Sequence, residues 1–261
     1  MKCKEIIEVL EQHYPKSAAL SWDNVGLLVG SDQKEVQKIF VALDVTDETL
    51  EEAVRAGADL MITHHPMLFS PVKRITAEDF IGRRIIRLIQ EDIAYYAMHT
   101  NFDVKGMADI NAEALKLQEC TVLEETGTDS EGNPEGIGRA GVLGRAMELE
   151  EFASYVKECL NLPGVLVYGE TREKISRAAV SGGSGKSMIP AALAKGVQVL
   201  VTGDIDYHTG IDAAAQGLCI VDAGHYGTES MFIGHMKERL AELFPTLEVE
   251  TARIRQPFVI Y

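Results

Sequence analysis

The chain has 261 residues, 46% hydrophobic and 25% charged, enough for a full core and unlike a disordered or fibrous chain. Its 25 basic and 40 acidic residues leave a formal charge of −15, so nucleic acid is not an expected partner. No apolar run reaches the roughly 18 residues of a membrane span, and no secretion-type leader opens the chain. The expected location is the cytoplasm, with Cys3, Cys120, Cys159 and Cys219 reduced and none in CxxC spacing.

Residues 3–13 carry Ile6, Ile7, Val9 and Leu10 at helical spacing. KIFVAL (38–43) reads as a buried strand. Asp47 reads as the N-cap of a helix that stops at Gly57. DLMIT (59–63) is a second strand, 78–91 a helix, and IAYYAM (93–98) a third strand. Residues 106–117 read as helix and 120–123 as a short strand. The polar, glycine-rich stretch 126–138 reads as a loop or domain junction. Beyond it, strands are expected at 139–146, 164–168, 177–182, 197–202, 218–222 and 247–254. Helices are expected at 148–160, 186–195, 208–216 and 228–242. This alternation predicts an α/β protein with mostly parallel sheets.

Two stretches align without a gap, pairing Val41 with Val180, Gly57 with Gly196 and Thr63 with Thr202. The strands that follow end at His99 and His225. Each histidine has a carboxylate four residues on, Asp103 and Glu229. A generic strand–helix–strand rhythm would produce part of this match. The paired histidine and carboxylate favour two related halves that present strand C-termini, where open parallel sheets bind ligands.

Three strand ends carry the chemistry. Thr63-His64-His65-Pro66 offers adjacent imidazoles, which point to opposite sides of an extended chain and suit two metals better than one. A turn with two hydrogen-bonding histidines is the alternative. His99-Thr-Asn-Phe-Asp103 adds a carboxylate that could bridge two ions; taken alone, Asp103 reads as a cap or turn residue. Asp222-Ala-Gly-His225-Tyr-Gly-Thr-Glu229 places His225 and Glu229 on one face if a helix begins there. Together, His64, His65, Asp103, His225 and Glu229 form a cysteine-free set suited to two divalent cations. Zinc, iron, manganese, cobalt and nickel are not distinguished. His99, Asp204 and His208 are candidates for supporting the ligands or touching substrate. The run Gly182-Gly183-Ser184-Gly185-Lys186-Ser187 imitates a phosphate loop, but Val180 stands where that motif needs its first glycine. A weaker anion site at this turn stays open.

SWDNVGLLVG (21–30), ITHHPMLF (62–69), HTNFD (99–103), GDIDYH (203–208) and DAGHYGTE (222–229) resemble the Nif-three-like dinuclear metal proteins, often labelled GTP cyclohydrolase I type 2 homologues. The resemblance spans nearly the whole chain. It implies two similar α/β domains of layered sheets and helices, with a dimetal site in the cleft between them. The expected domains are 1–125 with 230–261, and 126–229. The resemblance carries the family's ligands onto His64, His65, Asp103, His225 and Glu229, and implies a toroidal homo-hexamer built as a trimer of dimers. The span 126–138 is too short for the extra domain found in some members. The leading functional expectation is a hydrolase that uses a metal-bridged hydroxide on GTP, another nucleotide or a phosphoester. The alternative is a non-catalytic metal-binding assembly for partner binding or metal handling.

Overall fold

A computed structural model describes residues 1–170 and 172–259. Residues 260 and 261, at the end of the expected first domain, lie outside the described residues. The elements run α1 (Cys3–His13), β1 (Gly26–Val29), β2 (Lys38–Ala42), α2 (Asp47–Ala56), β3 (Leu60–Thr63), α3 (Phe80–Gln90), β4 (Ala94–Ala97) and α4 (Thr100–Phe102). A π-helical turn, Asp103–Met107, leads into α5 (Ala108–Ala114), β5 (Gln118–Thr128), β6 (Pro134–Glu148) and α6 (Leu149–Cys159). There follow β7 (Leu166–Tyr168), β8 (Lys174–Ser184), α7 (Ile189–Ala194), β9 (Val199–Gly203), α8 (Tyr207–Ala215), β10 (Cys219–Asp222) and α9 (His225–Glu229). The chain then forms α10 (Met231–Leu243) and β11 (Glu248–Thr251).

Two compact units result. The first comprises Met1–Phe102 and Ser230–Arg255; the second comprises Asp103–Glu229 and the residues from Gln256 onward. The first unit holds a five-stranded sheet in the order β1-β4-β3-β2-β11, antiparallel only at β1. One face packs Phe40, Ala42, Met61 and Tyr95 against Leu50 and Ala53 of α2 and Leu88 of α3. Side-chain alternation turns Ile39, Val41, Ile62 and Tyr96 to the other face, where the Tyr96 hydroxyl reaches Glu11 of α1 at 3.3 Å. Strands buried on both faces explain why β2, β3 and β4 are continuous apolar runs.

The second unit holds a six-stranded sheet in the order β5-β6-β8-β9-β10-β7. Only β8, β9 and β10 are parallel to one another, so the expectation of mostly parallel sheets fails here. The cause lies at 126–138. That stretch is no junction: its two ends belong to β5 and β6, joined by a turn in which Asp129 accepts from Glu131 and Asn133. The hairpin adds two antiparallel strands to the sheet.

The internal repeat is a repeat of register. Ile39 pairs with Leu60 and Ala42 with Thr63, as Ala178 pairs with Val199 and Val180 with Val201. β3 beside β4 and β9 beside β10 are parallel in both copies. The helix stops match as well. Gly57 (φ 69°) and Gly196 (φ 63°) both end their helices in the left-handed region, which glycine adopts without cost. The start of α2 differs by one residue from expectation. Thr46, not Asp47, caps it, accepting from Thr49 N at 3.0 Å. Asp47 instead lies in the first turn, where its charge suits the helix dipole.

Nothing lies within 4 Å of a Cβ added at Gly57 or Gly196, so alanine there tests the backbone alone. Gly57→Ala and Gly196→Ala should each destabilise by about 1–2 kcal/mol, the cost of a left-handed L-residue. Urea unfolding checks this; no loss at one of the two would show that the stops are not equivalent.

Candidate metal centre

In the first unit, β3 ends at Thr63 and the chain turns immediately. The His65 carbonyl accepts from the Thr63 and Tyr95 hydroxyls at 2.8 and 3.0 Å, and Met67 N donates to Tyr95 at 2.9 Å. Burial pushes the Tyr95 phenol up to about 12, against the opposing pull of these hydrogen bonds, so it stays a neutral pin. This turn sends His64 inward, fully buried, and leaves His65 partly exposed. His64 packs against Phe102 and Phe232, with ring centroids at 6.1 and 5.3 Å.

β4 ends at Ala97 and delivers His99 to the same place. The His64–His65, His64–His99 and His65–His99 centroids are 4.9, 5.2 and 5.6 Å apart. One donor atom from each of the three rings lies within 4.8 Å of the others. His99, read from sequence as a supporting residue, is thus grouped with the adjacent pair.

Each ring has one nitrogen held by an acceptor. His64 Nδ1 faces the Met98 carbonyl at 3.0 Å. His65 Nδ1 faces Asp44 Oδ1 at 2.8 Å, and His99 Nδ1 faces both Asp23 oxygens at 3.0 Å. A carbonyl or carboxylate only accepts, so each Nδ1 carries a hydrogen and donates to its acceptor. Burial opposes ionisation of Asp23. Hydrogen bonds from His99 and from the Thr100 side chain and backbone outweigh it, and its carboxyl is held at about 2.

The second unit carries the other donors. Asp103 lies inside a continuous helical run from Thr100 to Ala114, opening its π turn, so it is not a cap. His225 and Glu229 are the ends of α9, and the Nε2 of one lies 3.1 Å from Oε2 of the other. An Asp103 oxygen and a Glu229 oxygen lie within 4.8 Å. His225 Nδ1 faces Asp204 Oδ2 at 2.7 Å, repeating the carboxylate–imidazole pairing of the first unit. Asp204, a candidate from the sequence, is thus placed against His225. His208 sits exposed in the first turn of α8 with its ring beside Tyr207, away from these pairings.

The glycine-rich turn serves the same donors. Gly183 (φ 65°) gives its N–H to Thr228 Oγ1 at 3.0 Å, and a Cβ there would collide with Glu229. A Cβ on Gly185 would collide with Thr202. Lys186 is paired with Asp206 at 3.0 Å. The glycines admit Glu229 and Thr202, and the cation and one amide that an anion would need are engaged, so the anion reading of this turn loses its support.

The donor chemistry fits divalent metal ions. Imidazoles whose remote nitrogens are fixed by acceptors, with closely spaced carboxylates, are the ligand and support pattern of such sites. Sequence reasoning missed Asp44 as the support of His65. Asp23 lay within a quoted motif but had no assigned role.

The profile of the Duf34/NIF3 (NGG1p interacting factor 3) family matches residues 1–257. The chain belongs to this family. A Clostridium perfringens member named "GTP cyclohydrolase 1 type 2 homolog" is 36% identical over 93% of this chain and 92% of its own length. A Staphylococcus epidermidis member of the same name is 30% identical over 363 aligned positions, more than the 261 residues here, so it carries residues this chain lacks. Among solved structures, Staphylococcus aureus hypothetical protein SA1388 matches with a TM-score of 0.92 at 32% identity, covering 100% of this chain and 99% of that one. Reduced HcgD from Methanocaldococcus jannaschii matches with a TM-score of 0.83 at 33% identity, covering 96% and 97%. No helix among the described residues is long and apolar enough to cross a membrane.

Supporting residues of this type typically change metal affinity by ~10–100-fold when altered. Asp44→Asn should weaken metal retention by that order while leaving the melting temperature of the metal-free protein within a degree or so. Asp206→Asn, which loses the Lys186 ion pair instead and keeps an oxygen for the Thr209 amide, should retain metal fully. Competition with a chromogenic chelator reads both; equal retention in the two variants would remove the role given to Asp44.

Proposed function

We propose that this NIF3-family protein is a divalent-metal-dependent hydrolase of small nucleotides or phosphoesters, with His64, His65, Asp103, His225 and Glu229 as ligands of two ions. The observation that carries the reading is the pinned Nδ1 of every histidine in both donor sets. Surface histidines in turns have no need of such support. The relatives' shared name, a cyclohydrolase homolog, points to the same reaction class.

Two divalent ions, when bound, lower the pKa of a coordinated water and polarise a scissile oxygen or ring carbon. The chain's own residues do the rest. Asp44, Asp23, Asp204 and the Met98 carbonyl fix the imidazole planes, so no reorientation is needed when charge develops. Asp103 and Glu229, two carboxylates within 4.8 Å, repel one another and favour a cation between or beside them. Phe102 and Phe232 keep water from the inner side of His64. Family resemblance extends the proposal to a hexameric toroid, which light scattering would distinguish from a monomer.

Elemental analysis should find two divalent ions per chain, and the double variant His64→Ala, His65→Ala should lose most of them. Stripping the metal should lower the melting temperature by several degrees, since a ligand at a thousand times its dissociation constant adds about 4 kcal/mol. The drop should be smaller in Asp103→Asn and should reverse when metal returns. Binding should weaken as pH falls, because imidazole and carboxylate ligands must be deprotonated. A panel of GTP, cyclic nucleotides and phosphodiesters on the loaded protein tests turnover. Two tightly held ions with no turnover on any of them would favour the metal-handling assembly. Full metal retention in the double variant would remove the ligand assignment.

A further inference from the structure

The geometry points to a ring-binding subsite beside the first-unit histidines, built from Trp22 and Phe69, for a planar heteroaromatic group such as a nucleobase. It rests on the hydrolase reading only for the adjacency of bound ligand and metal.

Trp22 is 61% exposed and Phe69 54% exposed, among the largest apolar side chains left in water. Scattered exposed aromatics are ordinary. These two flank one imidazole. The Trp22 and Phe69 ring centroids lie 6.0 and 5.5 Å from that of His99, at interplanar angles of 71° and 90°. On its other side His99 meets His64 and His65. The exposed rings therefore border the donor cluster itself.

The frame beneath them is fixed. The Asp23 side chain, next to Trp22, is wholly buried and accepts from Thr100 N at 2.9 Å and Thr100 Oγ1 at 2.5 Å, besides facing His99. Leu20 N donates to Thr100 Oγ1 at 2.9 Å. Asn24 Nδ2 donates to the Leu68 carbonyl at 2.6 Å, which ties the Trp22 segment to the residue preceding Phe69. Polar bonds thus tie together the segments that carry two large rings at the surface. Fixed exposed rings of this kind are stacking platforms, and every nucleobase has a π-face to offer.

The chemistry of the wall selects a ring over an anion. Phe69 has no polar atom and Trp22 only one N–H. Asp23, the charged group of the frame, is wholly buried and engaged by His99 and Thr100, so it offers an anion no partner. A base resting here would leave its sugar or the ring's own reactive carbon toward the histidines.

Trp22 is the single tryptophan of the chain, so its fluorescence reports this subsite alone. The metal-loaded full chain is titrated with guanosine, adenosine and cytidine, and separately with ribose 5-phosphate and inorganic triphosphate, exciting at the red edge of indole absorption. Saturable quenching by nucleosides, and none by the sugar phosphate or triphosphate, is the expected result. Phe69→Ala should weaken nucleoside binding by about tenfold in the same assay. Trp22→Ala should weaken it similarly by equilibrium dialysis, with Trp22→Phe recovering most of the loss. Metal content and melting temperature of Trp22→Ala should match the wild type, because the frame hangs on Asp23 and Asn24. Absence of saturable quenching, or unchanged affinity in both alanine variants, overturns the subsite. Trp22 emission that shifts with protein concentration alone, and not with nucleoside, would assign the rings to contact between copies and also overturn it. Nucleoside binding without turnover leaves the subsite standing and removes the hydrolase reading. Turnover with KM unchanged in both alanine variants does the reverse.

Discussion

Fixing one nitrogen of an imidazole decides what the other can do. In both units the histidines at strand ends have Nδ1 against a carboxylate or carbonyl, which fixes the plane of each ring. That constraint requires an acceptor to arrive at each histidine from a different part of the chain. The parallel sheet supplies it. β2 ends at Ala42, and Asp44 lies just beyond it, beside the turn that follows β3 and carries His65. The Met98 carbonyl, one residue past β4, reaches His64 in the same way. Strands in one register bring their ends to one level, so the donors and their supports come together without long side chains.

Close packing at the second unit's strand ends depends on glycine. Glu229 is 3% exposed, and a carboxylate so buried needs both room and partners. Gly183 yields the room, and the Gly183 amide holds Thr228, one residue before it, in place. The stretch that imitates a phosphate loop is thus glycine-rich for a steric reason. Any side chain at 183 would push Glu229 from its place.

Much of this was legible in the sequence because the buried strands are uninterrupted apolar runs followed by histidines and carboxylates. ITHHP and DAGHYGTE announced both an element boundary and a chemistry. The hairpin over β5 and β6 was legible only in part: strands were expected at 120–123 and 139–146, but not their extension through 126–138. β5 is largely exposed, and β6 carries Gly136, where a Cβ would overlap the Glu124 carbonyl, so the glycine that permits close strand approach read as a loop signal. β1 was missed for another reason: four residues at a sheet edge give no periodicity to detect. The supports were hidden by distance along the chain. Asp44 is 21 residues from His65 and Asp23 is 76 from His99, and no local pattern joins them.

The register of the repeat shows how one frame yields two different donor sets. Carrying the first copy onto the second places Asp204 at the position of His65, and Gly183 at the position of Asp44. In the first unit, His65, two residues past β3, faces Asp44, two residues past β2. In the second, Asp204, just past β9, faces His225 instead, and Gly183, near the end of β8, leaves room for Glu229. The backbone positions are conserved between halves while their tasks are exchanged. The first unit thus carries an imidazole-rich set, and the second a set in which carboxylates stand beside a single imidazole.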